Sequence, residues 1–133
     1  MSNQLFNKGR EGILDRTIDM TGDVRVMLVR SSYTFSNSNT FVADMGAVDN
    51  GRSASLDNKT FTSGVFDADD STITATAAVA SKALVIFQHT GDDATARLIA
   101  YIDTPASGLP FTPSVGQTVN LRFDAGPNRI FKL

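Results

Sequence analysis

The chain contains no cysteine, no tryptophan and a single histidine, His89. Without cysteine there are no thiol nucleophiles, Fe–S clusters, CxxC zinc sites or disulfide frameworks, so stability has to come from packing or from partners. One imidazole is too few for a His-rich zinc site and leaves a metallohydrolase poorly supplied. An excess of either charge is also missing: 12 Lys plus Arg face 14 Asp plus Glu, for a formal net charge of -2. That balance lacks the basic footprint of a phosphate-backbone binder, and no nucleic-acid partner is expected. No stretch approaches the roughly 18 apolar residues of a spanning helix, and the polar opening Met1-Ser2-Asn3-Gln4 has no apolar signal-peptide core. Neither a membrane partner nor export is expected. The glycines form neither GxGxxG nor a Gly-Lys-Ser/Thr loop, so no nucleotide cofactor is expected, nor any other.

What is present describes one soluble domain over residues 1–133, with 41% hydrophobic residues, 10 Gly and 4 Pro. At this length about 68% of the unfolded chain's surface can be buried, enough for a core without metals or disulfides. Val24, Val26 and Leu28 alternate with Arg25, Met27 and Val29, which predicts a strand. Before it, Ile13, Leu14 and Ile18 lie at helical spacing within residues 8–20, although Gly9 and Gly12 each weaken a helix by about 1 kcal/mol. A short helix or an N-terminal arm to about residue 20 both fit. Residues 31–58 are rich in Ser, Asn, Asp and Gly, including Asp49-Asn50-Gly51, and read as a long loop. Within it, residues 41–45 fit one short helical turn.

Further strands are expected over residues 59–62, 65–67, 72–79 and 83–89. In the third, Ile73, Ala75, Ala77 and Val79 alternate with Thr72, Thr74, Thr76 and Ala78, and the Thr content favours strand over helix. Ala83-Leu84-Val85-Ile86-Phe87 is continuously apolar, as a strand buried on both faces should be. Thr90-Gly91-Asp92-Asp93 then turns the chain into Leu98-Ile99-Ala100-Tyr101-Ile102, predicting a hairpin at the centre of the core. Residues 104–116 read as a Pro-Gly-rich connector. Residues 118–123 and 128–133 read as a closing hairpin around Asp124-Ala125-Gly126-Pro127. Many strands and one weak helix predict a mainly β chain, an antiparallel β-sandwich or small barrel.

Candidate chemistry is sparse. His89 stands near Asp92 and Asp93 in sequence, and a carboxylate can orient an imidazole. No Gly-x-Ser-x-Gly elbow accompanies it, and a polar residue leaving a strand for a turn is ordinary, so no catalytic residue is assigned. Asp67, Asp69 and Asp70 cluster as oxygen ligands for a hard cation would, but the EF-hand's sixth-position Gly and twelfth-position Glu are Thr72 and Ala78 here. A solvated turn is the favoured reading, and no metal is assigned.

Three stretches carry a resemblance. They are the opening Asn7-Lys8-Gly9-Arg10-Glu11-Gly12-Ile13-Leu14, the strand Val24-Arg25-Val26-Met27-Leu28-Val29, and the ending. The ending runs through Leu98-Ile99-Ala100-Tyr101-Ile102-Asp103 and Gly108-Leu109-Pro110-Phe111-Thr112-Pro113 to Phe123-Asp124-Ala125-Gly126-Pro127-Asn128-Arg129-Ile130-Phe131-Lys132-Leu133. Together they resemble a family of small tailed-bacteriophage virion proteins over nearly the whole chain, least over residues 31–64. The chain departs from the family pattern at Phe123-Asp124-Ala125-Gly126-Pro127-Asn128, where a Trp-Asp-Asn-Gly-like turn is usual. The resemblance implies a non-enzymatic particle component, a capsid decoration or cement protein on the virion head, made in the host cytoplasm, with a tail- or fibre-associated adhesion role as the alternative. The implied partners are the major capsid protein and further copies of the chain, a homo-oligomer with a trimer favoured. On that reading the arm over residues 2–16 and the loop over residues 31–58 make the bridging contacts, with Leu5, Phe6, Arg10, Phe35, Phe41 and Met45 as candidate interaction residues. The competing reading is that these residues cap the sandwich.

Overall fold

The alternating run at Val24 becomes strand β2 (Val24–Arg30), and the continuous apolar run becomes β6 (Ser81–Gln88), its antiparallel neighbour along the whole length of β2. These coordinates are a computed structural model that describes residues 4–102, 112–121 and 131–132. Strands β1 (Gln4–Leu5), β7 (Leu98–Ile102) and β3 (Asp49–Arg52) complete a five-stranded antiparallel sheet in the order β1-β7-β6-β2-β3, which puts β6 in the middle. Two ribbons add to it: β4 (Val65–Phe66) pairs with β9 (Phe131–Lys132), and β5 (Ser71–Thr74) pairs with β8 (Thr118–Leu121). Among the described residues α1 (Asn7–Leu14) is the one α-helix, so the chain is mainly β and antiparallel, in a sandwich-like arrangement.

Alternation sorts the side chains of the large sheet into two cores. Val24, Val26 and Leu28 join Leu84 and Ile86 on one face, under Ile18, Leu56, Phe66 and Ile73. Met27 and Val29 join Val85 and Phe87 on the other, under Phe6, Tyr33, Val42, Met45 and Val48. Covering both faces is what makes Ala83–Phe87 of β6 and the whole of β7 continuously apolar. The cover on the second face is the long segment read as a loop. Its 3-10 turn at Val42–Met45 falls where a helical turn is expected, and the Asp44 carboxylate accepts from the Thr40 and Phe41 amides at 3.0 and 2.9 Å to start it.

Strand β7 carries one extra residue. Ile86 faces Ala100 but Phe87 faces Leu98, so Ile99 is a bulge. The bulge turns the Ile99 carbonyl to the Phe6 amide, 3.0 Å away, and α1 starts there. The helix then lies so close to β7 that a Cβ at Gly9 would stand 2.6 Å from the Ile99 carbonyl oxygen, closer than any real side chain comes.

Five expectations change. The fully buried residues of α1 are Gly9 and Gly12, whereas Leu14 is 76% exposed and Ile18 is buried beyond the helix end, because close approach at the two glycines, to the β7 backbone and to the Ile18 side chain, sets the docking, with Ile13 packed beside it. Asp49-Asn50-Gly51 is part of strand β3, paired with β2. Gly51 is needed there because its φ is +117° and a Cβ would meet the Thr74 carbonyl, while buried Asn50 donates to Ser81 Oγ at 2.9 Å and accepts from the Ala77 amide at 2.9 Å. The alternation over residues 72–79 keeps its burial sense but leaves the ladder after Thr74. Among the described residues β8 and β9 do not pair with each other: each closes a ribbon with an earlier strand, so the expected closing hairpin is replaced by two long-range pairings. Its proposed turn lies outside the described residues, as does most of the 104–116 connector. The strand expected over residues 59–62 is reduced to one isolated bridge, in which Thr60 and Asp67 exchange backbone hydrogen bonds of 2.8 and 3.1 Å, because a 3-10 turn at Thr62–Gly64 takes up its end; the strand expected over 65–67 is present as β4.

Candidate interaction surface

The six candidate interaction residues separate by burial. Leu5 and Phe6 enter the core from β1 and the start of α1, and Met45 enters it from the 3-10 turn, so these three cap the sheet from inside. Phe35 is half-buried, with its ring centroid 5.2 Å from Phe6 and 4.8 Å from Tyr101. Phe41 is half-buried beneath the Arg97 guanidinium, 5.6 Å from the ring centre. Arg10 is exposed on α1. Segment and loop also hold one another, since the Asn7 amide donates to the Asn37 side-chain oxygen at 3.0 Å. Accessible surface in this set therefore belongs to Arg10, Phe35 and Phe41.

The polar clusters are occupied by structural contacts. His89 is half-buried, its backbone amide donating to the Asp23 carbonyl at 2.8 Å and its ring edge-on to Phe87. Asp93 is taken by Arg52, in a bidentate pair of 2.7 and 2.8 Å. Those hydrogen bonds hold the Asp93 carboxyl below its ordinary range, with the nearby His89 a smaller influence. Arg52 also bonds Asp49 and lies over the Phe87 ring at 5.3 Å, pinning edge strand β3 to the β6–β7 turn. Asp92 Oδ1 accepts from the Ala94 amide at 3.0 Å. In the acidic turn, Asp69 accepts from Asn58 Nδ2 at 2.6 Å and Asp67 from the Ala68 amide at 2.9 Å. Among the described residues no three His, Asp or Glu side chains converge as metal ligands.

Sequence reasoning missed an apolar groove. Ile13, Ile18, Met20 and Thr21, on and after α1, face Phe61, Gly64, Val65 and Phe66 across a groove of about 380 Å³. Phe66 is buried at its base, and Phe61, 44% exposed, stacks on it with centroids 5.7 Å apart. Charge of both signs lies beside the groove, with Asp19 bonded to Thr21 of the wall and Lys59 close to Asp19. The Asp19 carboxylate accepts from the Thr21 hydroxyl at 2.6 Å and the Thr21 amide at 2.9 Å, which holds it ionised below the ordinary carboxylate range. Asp15 is held the same way by the Thr17 hydroxyl and amide. The two walls lie some forty positions apart in the chain, about 13–21 against 61–66, so no local pattern announces them. An isolated exposed aromatic at Phe61 was the available signal.

Comparison with protein-family models, with curated proteins and with solved structures returns no match for this chain.

Proposed function

We propose that this chain is a non-enzymatic structural protein of a tailed-bacteriophage virion, a head decoration or cement protein that bridges major capsid subunits. The observation that carries the reading is where the resembling stretches lie. Gly9 of the opening packs on Ile99 of the ending, β2 stands beside the central strand, and Phe131–Lys132 closes a ribbon on β4. The shared pattern is thus invested in backbone packing, and of the polar groups nearest to an acid–base set, Asp93 is held by Arg52 while the His89 backbone amide is bonded to the Asp23 carbonyl. That division suits a protein whose task is to present a rigid surface.

A cement protein works by spanning neighbouring subunits, so that the shell cannot expand or shed a capsomer without breaking the added contacts, and many weak contacts on one lattice act together. A trimer fits local threefold positions of such a shell. Removing residues 2–7 is a poor test of the arm, because it deletes β1 and the core side chain Phe6. The direct test is copy number against the major shell protein in purified particles, by quantitative mass spectrometry. Near-stoichiometric amounts support the head role. A few copies per particle move the chain to the tail or fibre, and its absence from particles overturns the structural reading.

A further inference from the structure

We propose that Asn50 and Gly51 form a modification site that the fold keeps latent. Conversion of Asn50 to aspartate and isoaspartate is blocked while β3 is paired, proceeds when that edge strand opens, and leaves a product that cannot rebuild it. The step is intramolecular and consumes only hydroxide and water. Hydroxide takes the Gly51 amide proton, and the nitrogen attacks Asn50 Cγ. The new N–C bond closes a succinimide as the Cγ–Nδ2 bond breaks, and ammonia leaves with a proton from water. Water then opens the ring at either carbonyl, to aspartate or to isoaspartate. Asn followed by Gly favours this chemistry because no side chain shields the attacking nitrogen.

The paired strand opposes every part of that step. Asn50 is fully buried, away from the hydroxide and water that the reaction needs. Its Oδ1 accepts from the Ala77 amide at 2.9 Å and the Thr76 hydroxyl at 3.3 Å, and its Nδ2 donates to Ser81 Oγ at 2.9 Å, which fixes the side-chain amide. The Gly51 nitrogen is turned to another partner, donating to Asp49 Oδ1 at 2.6 Å, and a carboxylate acceptor makes that proton harder to remove. Ring closure also needs the nitrogen eclipsed with the Asn50 Cβ, which extended strand backbone does not provide. All of these restraints depend on β3, an edge strand that among the described strands pairs with β2 alone and is pinned by Arg52 to Asp93. The products do not fit the closed strand. An aspartate at position 50 buries a carboxylate against Ser81 Oγ, whose own proton is directed to the Val79 carbonyl at 3.3 Å, while Arg52 is already committed to Asp49 and Asp93. Isoaspartate adds a backbone carbon beside Gly51, where the Thr74 carbonyl leaves no room even for a Cβ.

The experiment incubates the full chain at mildly alkaline pH, folded in buffer and unfolded in concentrated urea, and follows conversion by peptide mass spectrometry. The tryptic peptide over residues 31–52 carries Asn50 together with Asn37 and Asn39 as internal references. In urea Asn50 should convert at least about tenfold faster than Asn37 or Asn39, and in buffer at least about tenfold more slowly than in urea. Folded Arg52→Met, with its pin removed, should convert several-fold faster than folded wild type. If Arg52→Met does not fold, Asp93→Asn releases the same pin and gives the second reading. Converted chains, separated by their added negative charge and returned to buffer, should melt lower than unmodified chains carried through the same urea. No preference for Asn50 in urea overturns the site. Folded wild type reacting as fast as the unfolded chain, or faster, overturns the latency and assigns the donors on Oδ1 a promoting role. An unchanged rate in the pin variant overturns the opening of β3 as the gate, and equal melting temperatures overturn the claim that the product cannot rebuild the strand.

Discussion

In the five-stranded sheet, β7 buries all of its side chains and β2 and β6 most of theirs, whereas in the ribbons β5 buries Ile73 alone of its four residues and β4 buries Phe66 alone. Both regions are antiparallel β-structure, and they differ in how many faces are covered. The large sheet lies between the ribbons on one side and residues 31–48 on the other, so its inner strands β2, β6 and β7 need apolar groups in both phases. The β5 ribbon strand meets the core with one face and water with the other, so one of its phases is Thr. The hydrophobic pattern therefore reports the layer in which a strand lies.

The contrast is sharpest in the core. Phe87→Ala removes a fully buried ring from the central strand and should cost about 3–5 kcal/mol in denaturant unfolding. Ile73→Ala, from a ribbon, should cost about 2–3 kcal/mol, because an outer layer can settle into the space. An Ile73 cost equal to that of Phe87 would show the ribbons to be as constrained as the sheet. Gly9→Ala should cost about 1–3 kcal/mol through the clash with the Ile99 carbonyl, visible as a lower midpoint with unchanged slope.

A smaller effect is expected at the edge-strand pin. Arg52→Met removes the pair with Asp93 and the cation over Phe87, and should cost about 1 kcal/mol. The same pin gives a pH dependence. The folded Asp93 carboxyl lies below its ordinary value of 3.8, held there by Arg52, and Asp23 likewise by Arg25. Their contributions are fully present above the unfolded value and are lost as pH falls through the depressed folded values, so stability should decline below about pH 4. Asp93→Asn should show a shallower acid decline than wild type, and an identical slope would remove the pin from the account. The smallest effect is expected at the exposed ribbon residue Thr72, where Thr72→Ala should stay within about 0.5 kcal/mol. Amide exchange gives an independent comparison, with β6 protected longest and the ribbons opening earlier.

Much of the sheet was readable in advance. The alternation at Val24–Val29, the apolar run at Ala83–Phe87 and the turn at Thr90–Asp93 each announced an element that the fold contains. The edge strand β3 was not, because Asp49-Asn50-Gly51-Arg52 has turn composition: it is held by the buried Asn50 network and by Arg52 reaching Asp93, neither of which is a propensity. Helix and arm were both open for residues 8–20; the helix forms, and the apolar spacing of Ile13, Leu14 and Ile18 does not mark its inner face, since backbone meets backbone at Gly9. Of the candidate interaction residues, Leu5, Phe6 and Met45 are explained by core packing, because an exposed anchor and a capping residue have the same local composition.

Composition and periodicity sufficed for the β class, the antiparallel hairpin of β6 and β7, and the absence of thiol chemistry, because each depends on residue type and on neighbours a few positions away. Which ribbon each late strand joins, which segment covers the second face, and how residues near 13–21 meet residues near 61–66 to form a groove depend on contacts between distant parts of the chain. Those contacts are selected by the shape and burial of the whole packed structure, which a local pattern does not encode.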